Sequence, residues 1–230
     1  MVKQDRHASD FFLIGFLLTQ AAIPLHLLIN YGDGFRLIAL EFSPNLYRIF
    51  ELAYWLDAPL LLWYTRTLVY KDYKWSRIDW LFLAPAVIYS LSMIATFYSL
   101  EPVTKYLEMR DYDTEEASIW RHSSGFIRES LRVVFSIMCL IDIRHCRQQI
   151  RNRYSNVDNI DLGWLNFLVI AFLIVRTWSV LVSAALILSA HADINIDFSS
   201  MGLIGNYITF ILVSALIFFS LMKSSLFEGV

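Results

Sequence analysis

Apolar residues run through this chain in long blocks, interrupted by short polar gaps. Six blocks stand out, at roughly 11–31, 46–69, 79–99, 124–146, 163–190 and 202–222. Each holds the twenty or so residues that a helix needs to cross a hydrocarbon layer. The pattern therefore predicts an all-α integral membrane protein, a bundle of six transmembrane helices forming a single domain over 1–230. A further apolar piece, "FRLIALEF" at 35–42, is too short to span and is expected at the interface, just before Pro44. No internal repeat is evident. The gaps are too short for a soluble domain.

Composition supports the pattern. The chain is 57% hydrophobic and 17% charged, against about 45–50% and about 25% in soluble domains. With a net charge of −2, no basic surface suggests nucleic acid. Cys139 and Cys146 are seven residues apart. On one helix that is roughly 10 Å, too far for a disulfide. The N-terminal "MVKQDRHASD" is followed by an apolar run without a small-residue cleavage site, so the first block reads as a retained helix.

Charge in the gaps sets the orientation. With six spans, Lys3, Arg6, Arg66, Lys71, Lys74, Arg77, Arg144, Arg147, Arg151, Arg153 and Lys223 share one side. Arg36, Arg48, Lys105, Arg110 and Arg121 share the other. Eleven against five puts both termini in the cytoplasm. The segment 101–122, with six acids and three basic residues, reads as a solvated extracytoplasmic loop. Trp63, Tyr64, Tyr70, Tyr73, Trp75 and Trp80 gather where the inner headgroup layer would lie, as amphipathic rings do.

The informative residues are those a membrane interior should reject. Glu51 and Asp57 fall about 9 and 18 Å below the outer end of the second span. Arg128 and Arg132 fall about 6 and 12 Å into the fourth, four residues apart and so on one face. Arg176 lies about 20 Å into the fifth, near the midplane. These depths predict Glu51 meeting Arg128 or Arg132, Asp57 meeting Arg176, and Glu129 serving Arg48 or Arg128. Pro59 leaves the Trp55 carbonyl without its helical donor, which is tolerated where protein or a wet cavity satisfies it. Glu51, Asp57, Arg128, Arg132 and Arg176 are thus the candidate ligand-binding residues of an outer-half polar pocket. Three readings stay open: mutual neutralisation that fixes helix register, a ligand pocket, or a proton or ion path. A ligand bound there would be anionic, a headgroup or carboxylate, and apolar walls would suit an acyl chain.

No catalytic residues and no metal site are expected: the sequence has no Gly-rich phosphate loop and no HExxH. His26, His122 and His191 lie toward the outer face and His145 toward the inner; haem ligation through the outer three is weighed, but no HxxxH pair occurs on one helix.

Residues 142–164 read as a basic helical extension of span four followed by an elbow, with Ser155 or Asn156 ending the helix and Asp161 capping span five. Its arginines at 144, 147 and 151 suit anionic lipid heads. "RNRYSNVDNIDLGWLNFLV" (151–169), "LDAPLLLWYTRTLVY" (56–70) and "IDWLFLAPAVIY" (78–89) together resemble the membrane-embedded sensor regions of bacterial signalling proteins. The likeness covers roughly 45–230. It implies a sensory input module of the bacterial inner membrane, regulating a cytoplasmic output domain. Such outputs include AraC-type DNA-binding domains, histidine kinases and, favoured here, GGDEF diguanylate cyclases. Many relatives have seven or more spans, against six here, and the chain ends at "LMKSSLFEGV" with no output domain, so an excised sensor region is expected, not itself an enzyme. Homodimerisation through apolar helix faces is expected, with "LVSAALILSA" offering a close-packing face. The rival classes are a small membrane transporter or channel, which would want mirrored interrupted spans, and a lipid-modifying enzyme.

Overall fold

The computed structural model describes residues 6–70, 73, 75–110, 119–153, 163–192 and 199–226. Among them every regular element is a helix. Each of the six apolar blocks is helical. Three runs, Ser9–Asn30, Asp79–Tyr98 and Gly163–Ser189, are long and apolar enough to cross a membrane, and Ile204–Phe218 is a shorter apolar stretch. The chain is a helical membrane protein. The blocks at 46–69 and 124–146 are less apolar because they hold the acids and arginines that face one another inside the bundle.

Helix α1 (Arg6–Tyr31) includes Pro24. It ends at Gly32, whose N–H reaches the Leu28 carbonyl at 3.0 Å. A Cβ on Gly32 would sit 2.6 Å from that carbonyl oxygen, so the corner needs glycine. The short α2 (Asp33–Phe42) follows at once. It buries Ala39 and Leu40 and turns Phe35, Leu37, Ile38 and Phe42 outward, the face expected of an interfacial helix. A turn at Pro44–Asn45 leads into α3 (Leu46–Ile49), a tighter turn at Phe50–Leu52, and α4 (Ala53–Val69), one helical run over 46–69.

The third block opens with a tight turn at Asp79–Leu83, becomes α5 (Ala84–Met93), and widens to a π-helical turn at Ile94–Tyr98. Pro85 therefore lies in the first turn of α5, where its missing N–H costs nothing. After α6 (Pro102–Arg110) come α7 (Ile119–Arg153), α8 (Gly163–Ala192) and α9 (Ser199–Leu226). At 35 residues, α7 extends the fourth block at both ends and includes the basic stretch beyond 146. The expected Ser155/Asn156 stop and Asp161 cap lie outside the described residues.

Helices α1, α4, α7, α8 and α9 pack in that order, and α9 returns to α1. Their shared core includes Phe16, Leu61, Leu62, Cys139, Leu165 and Phe172. Both cysteines are free and buried, and the Cys146 thiol donates to the Val69 carbonyl at 3.3 Å. Helix α5 stands outside this ring, leaning on α4. A smaller core of Ile29, Ala39, Leu40, Tyr47, Phe97 and Met109 closes the end of the bundle where α2 and α6 lie. Polar contacts lock it: Tyr47 donates to the Arg36 carbonyl at 2.7 Å, and Lys105 donates to the Tyr98 carbonyl at 2.9 Å.

Candidate functional site: a buried ion network beside a polar cavity

Asp57 sits on α4, fully buried. Arg132 of α7 grips it with Nη2 2.7 Å from Oδ2 and Nε 3.2 Å from both oxygens. Arg176 of α8 reaches the same Oδ2 at 3.2 Å, and Gln20 of α1 donates to it at 3.4 Å. Burying a carboxylate is costly unless charge and hydrogen bonds compensate it; here three helices do so. Arg176 also donates through Nη1 to Ser136 Oγ at 2.6 Å, and Ser136 in turn bonds the Arg132 carbonyl at 2.8 Å. The Arg176 Nε–H is buried with no partner.

The pairing continues toward the α2 end. Arg132 Nη1 lies 2.7 Å from Glu129, and Arg128 Nε 3.1 Å from the other oxygen of that carboxylate. Arg128 reaches Glu51 at 3.6 Å, and Arg48 meets Glu51 at 3.0 Å. Tyr54 presents its ring to two of these cations, 4.3 Å from Arg128 and 5.6 Å from Arg132. The spacing on α7 explains the alignment: positions 128, 132 and 136 recur every four residues on the face that α4 and α8 meet.

All five expected site residues thus join one chain of charges. Asp57 meets Arg176, Glu51 meets Arg128, and Glu129 meets Arg128, as the depths suggested. Arg132 pairs with Asp57 and Glu129, not with Glu51, because a long guanidinium side chain bridges depths that backbone positions separate. Tyr54, Gln20 and Ser136 belong to the cluster too. Being neutral, they gave no charge signal in the sequence.

A cavity of about 210 Å³ adjoins the network. Helices α1, α4, α7, α8 and α9 all contribute to its wall. Arg132, Arg176 and Glu129 supply the charged side, Gln20, Ser179, Ser183, Asn206 and Thr209 the neutral polar side. Phe172, Val175, Val182 and Trp178 make the rest apolar.

A second ion cluster ties the opposite end. Arg66, at the end of α4, lies 2.9 Å from Asp142 of α7 and 3.0 Å from Asp79. Tyr70 donates to Asp142 at 3.1 Å, and the Ser76 N–H to Asp79 at 2.8 Å. Burial, then the neighbouring Asp142 carboxylate, push the Tyr70 phenol up to about 12, so it remains a donor. By sequence Arg66 is one of the loop charges that set orientation, and the signal for its partner is Asp142, an acid inside the fourth apolar block at the depth of that arginine.

The two histidines with described side chains stand apart. His26 is buried against Asn30 at 3.2 Å and edge-on to Tyr54, while His145 is exposed beside Gln149. The side chains of His122 and His191 lie outside the described residues. Among the described residues no group of three or more His, Cys, Asp or Glu side chains is arranged to hold a metal ion. Comparison with family models, curated proteins and solved structures finds no match for this chain.

Proposed function

We propose that this chain is a six-span sensory input module of a bacterial cytoplasmic membrane, with both termini inside, binding a small carboxylate-bearing ligand in the 210 Å³ cavity. One observation carries the reading: two guanidiniums, Arg132 and Arg176, line an otherwise partly apolar cavity reached by five helices. A carboxylate there would compete with Asp57 for the two arginines and satisfy the orphaned Arg176 Nε–H. Because Asp57, Arg132 and Arg176 sit on three helices, the competition would re-set their packing. A ligand shifts a two-state bundle only by its differential affinity, and a shared counter-ion supplies such a difference. The output would be a cytoplasmic domain, a diguanylate cyclase by preference, working as a homodimer.

The test is a thermal-shift screen of short-chain carboxylates against the chain in lipid nanodiscs. A saturable upward shift is expected with at least one of them. It should vanish in Ser183→Phe, which fills the cavity without touching the ion pairs. A complete absence of shifts, or a shift that survives in Ser183→Phe, rejects the proposal.

A further inference from the structure

A second, larger cavity of about 420 Å³ lies on the far side of α4, in the slot where α5 stands away from α7. This volume is within the range of ordinary small-molecule sites, roughly 300–1,000 Å³. Its construction differs from that of the carboxylate cavity. Pro85, Ile88, Met93, Ile127 and Leu131 make long apolar walls. Ile88 and Ile127 are 67% and 52% exposed, so the slot opens sideways between α5 and α7, toward the acyl chains in a membrane.

At the inner end, Trp55 and Tyr89 stack with ring centroids 5.1 Å apart and planes 23° from parallel, an aromatic pair onto which a further flat ring can stack. The Trp55 indole Nε1–H is buried and has no hydrogen-bond partner. A buried orphan donor is costly, and an acceptor entering the slot would relieve it. Three charged side chains line the slot, Arg48, Glu51 and Glu108. Arg48 and Glu51 pair at 3.0 Å, which leaves Glu108 to repel an anionic head, and a cationic head would compete for Glu51 with Arg48 and Arg128. A neutral head with a carbonyl acceptor meets neither cost.

We infer that this slot binds a lipid-soluble quinone: a flat, neutral ring carrying carbonyl acceptors, with its apolar tail leaving between Ile88 and Ile127. One carbonyl accepts from Trp55 Nε1, and the ring stacks on the Trp55–Tyr89 pair. Glu51 connects the slot to the other site, since it is joined through Arg128 and Glu129 to Arg132. The inference does not depend on what fills the smaller cavity.

The test is equilibrium binding of a decyl-substituted benzoquinone to the full chain in nanodiscs, corrected for partition into empty nanodiscs. Saturable binding is expected. Trp55→Phe keeps the ring and removes the donor, and should weaken binding roughly tenfold. Ile88→Trp, a substitution at an exposed position that blocks the slot mouth, should abolish it. Ser183→Phe should leave it unchanged, which separates this site from the carboxylate cavity. Non-saturable uptake overturns the assignment, as does equal affinity in Trp55→Phe and Ile88→Trp. A monoacylglycerol of the same chain length that binds as tightly as the quinone also overturns it, because a carbonyl and tail would then suffice without the ring.

Discussion

Asp57 and Arg176 are 119 positions apart in the chain, yet their side chains meet at 3.2 Å with almost no exposed surface on either. The contact joins α4 to α8 across the centre of the bundle. Arg132 holds the same carboxylate from α7. Asp57→Asn removes the acid that both arginines share. Two buried cations would then confront each other, and breaking such a pair costs about 3 kcal/mol or more. A large drop in the thermal midpoint of the purified protein is expected. Asp57→Asn combined with Arg176→Gln should cost less than the sum of the two singles, by at least about 0.5 kcal/mol. Strict additivity would mean that the contact contributes nothing.

At the opposite end, Arg66 bridges Asp79 and Asp142. Arg66→Gln removes the guanidinium that joins the two carboxylates. The Arg66 side chain is 18% exposed, so solvent screens part of the effect, and a loss of about 1–2 kcal/mol is expected. Arg66→Lys restores charge but cannot fork between two acids, so it should recover only part of the loss. Unfolding midpoints of the three proteins in one detergent check the order.

The corner between α1 and α2 makes a prediction from sterics alone. Gly32→Ala forces a methyl against the Leu28 carbonyl, and should cost about 1–2 kcal/mol. Gly34→Ala, two residues on, has open space around its Cβ. It should be within about 0.5 kcal/mol of the parent or slightly more stable. Similar destabilisation by both would show that the corner is not tightly built.

The six-span arrangement predicts reporter behaviour. A topology reporter inserted at 111–118 should be active outside the cytoplasm, and one at 154–162 only within it. The same signal from both would remove α7 from the membrane and with it the proposed module.

Helix positions were legible because the apolar blocks are long and their gaps short. The tightness at Asp79–Leu83 and the π turn at Ile94–Tyr98 were not, since a one-residue change of hydrogen-bond register leaves the apolar pattern unaltered. Among the site residues, charge made Asp57, Arg128 and Arg176 conspicuous inside apolar blocks, and helical rise placed them close to their partners. Tyr54, Gln20 and Trp55 escaped notice for the opposite reason. A neutral polar or aromatic residue in an apolar helix looks the same in sequence whether it faces outward or inward, and only the rotation of each helix decides.

The length of α7 has a mechanical consequence. From Arg132, clamped to Asp57 and Glu129, the helix runs unbroken for twenty-one more residues to Arg153, about 32 Å of rod. If that clamp is a fulcrum, tilting the rod by about 5° swings its tip by roughly 3 Å. A rearrangement of one guanidinium deep in the bundle is thereby magnified into a displacement that a neighbouring protein surface could register.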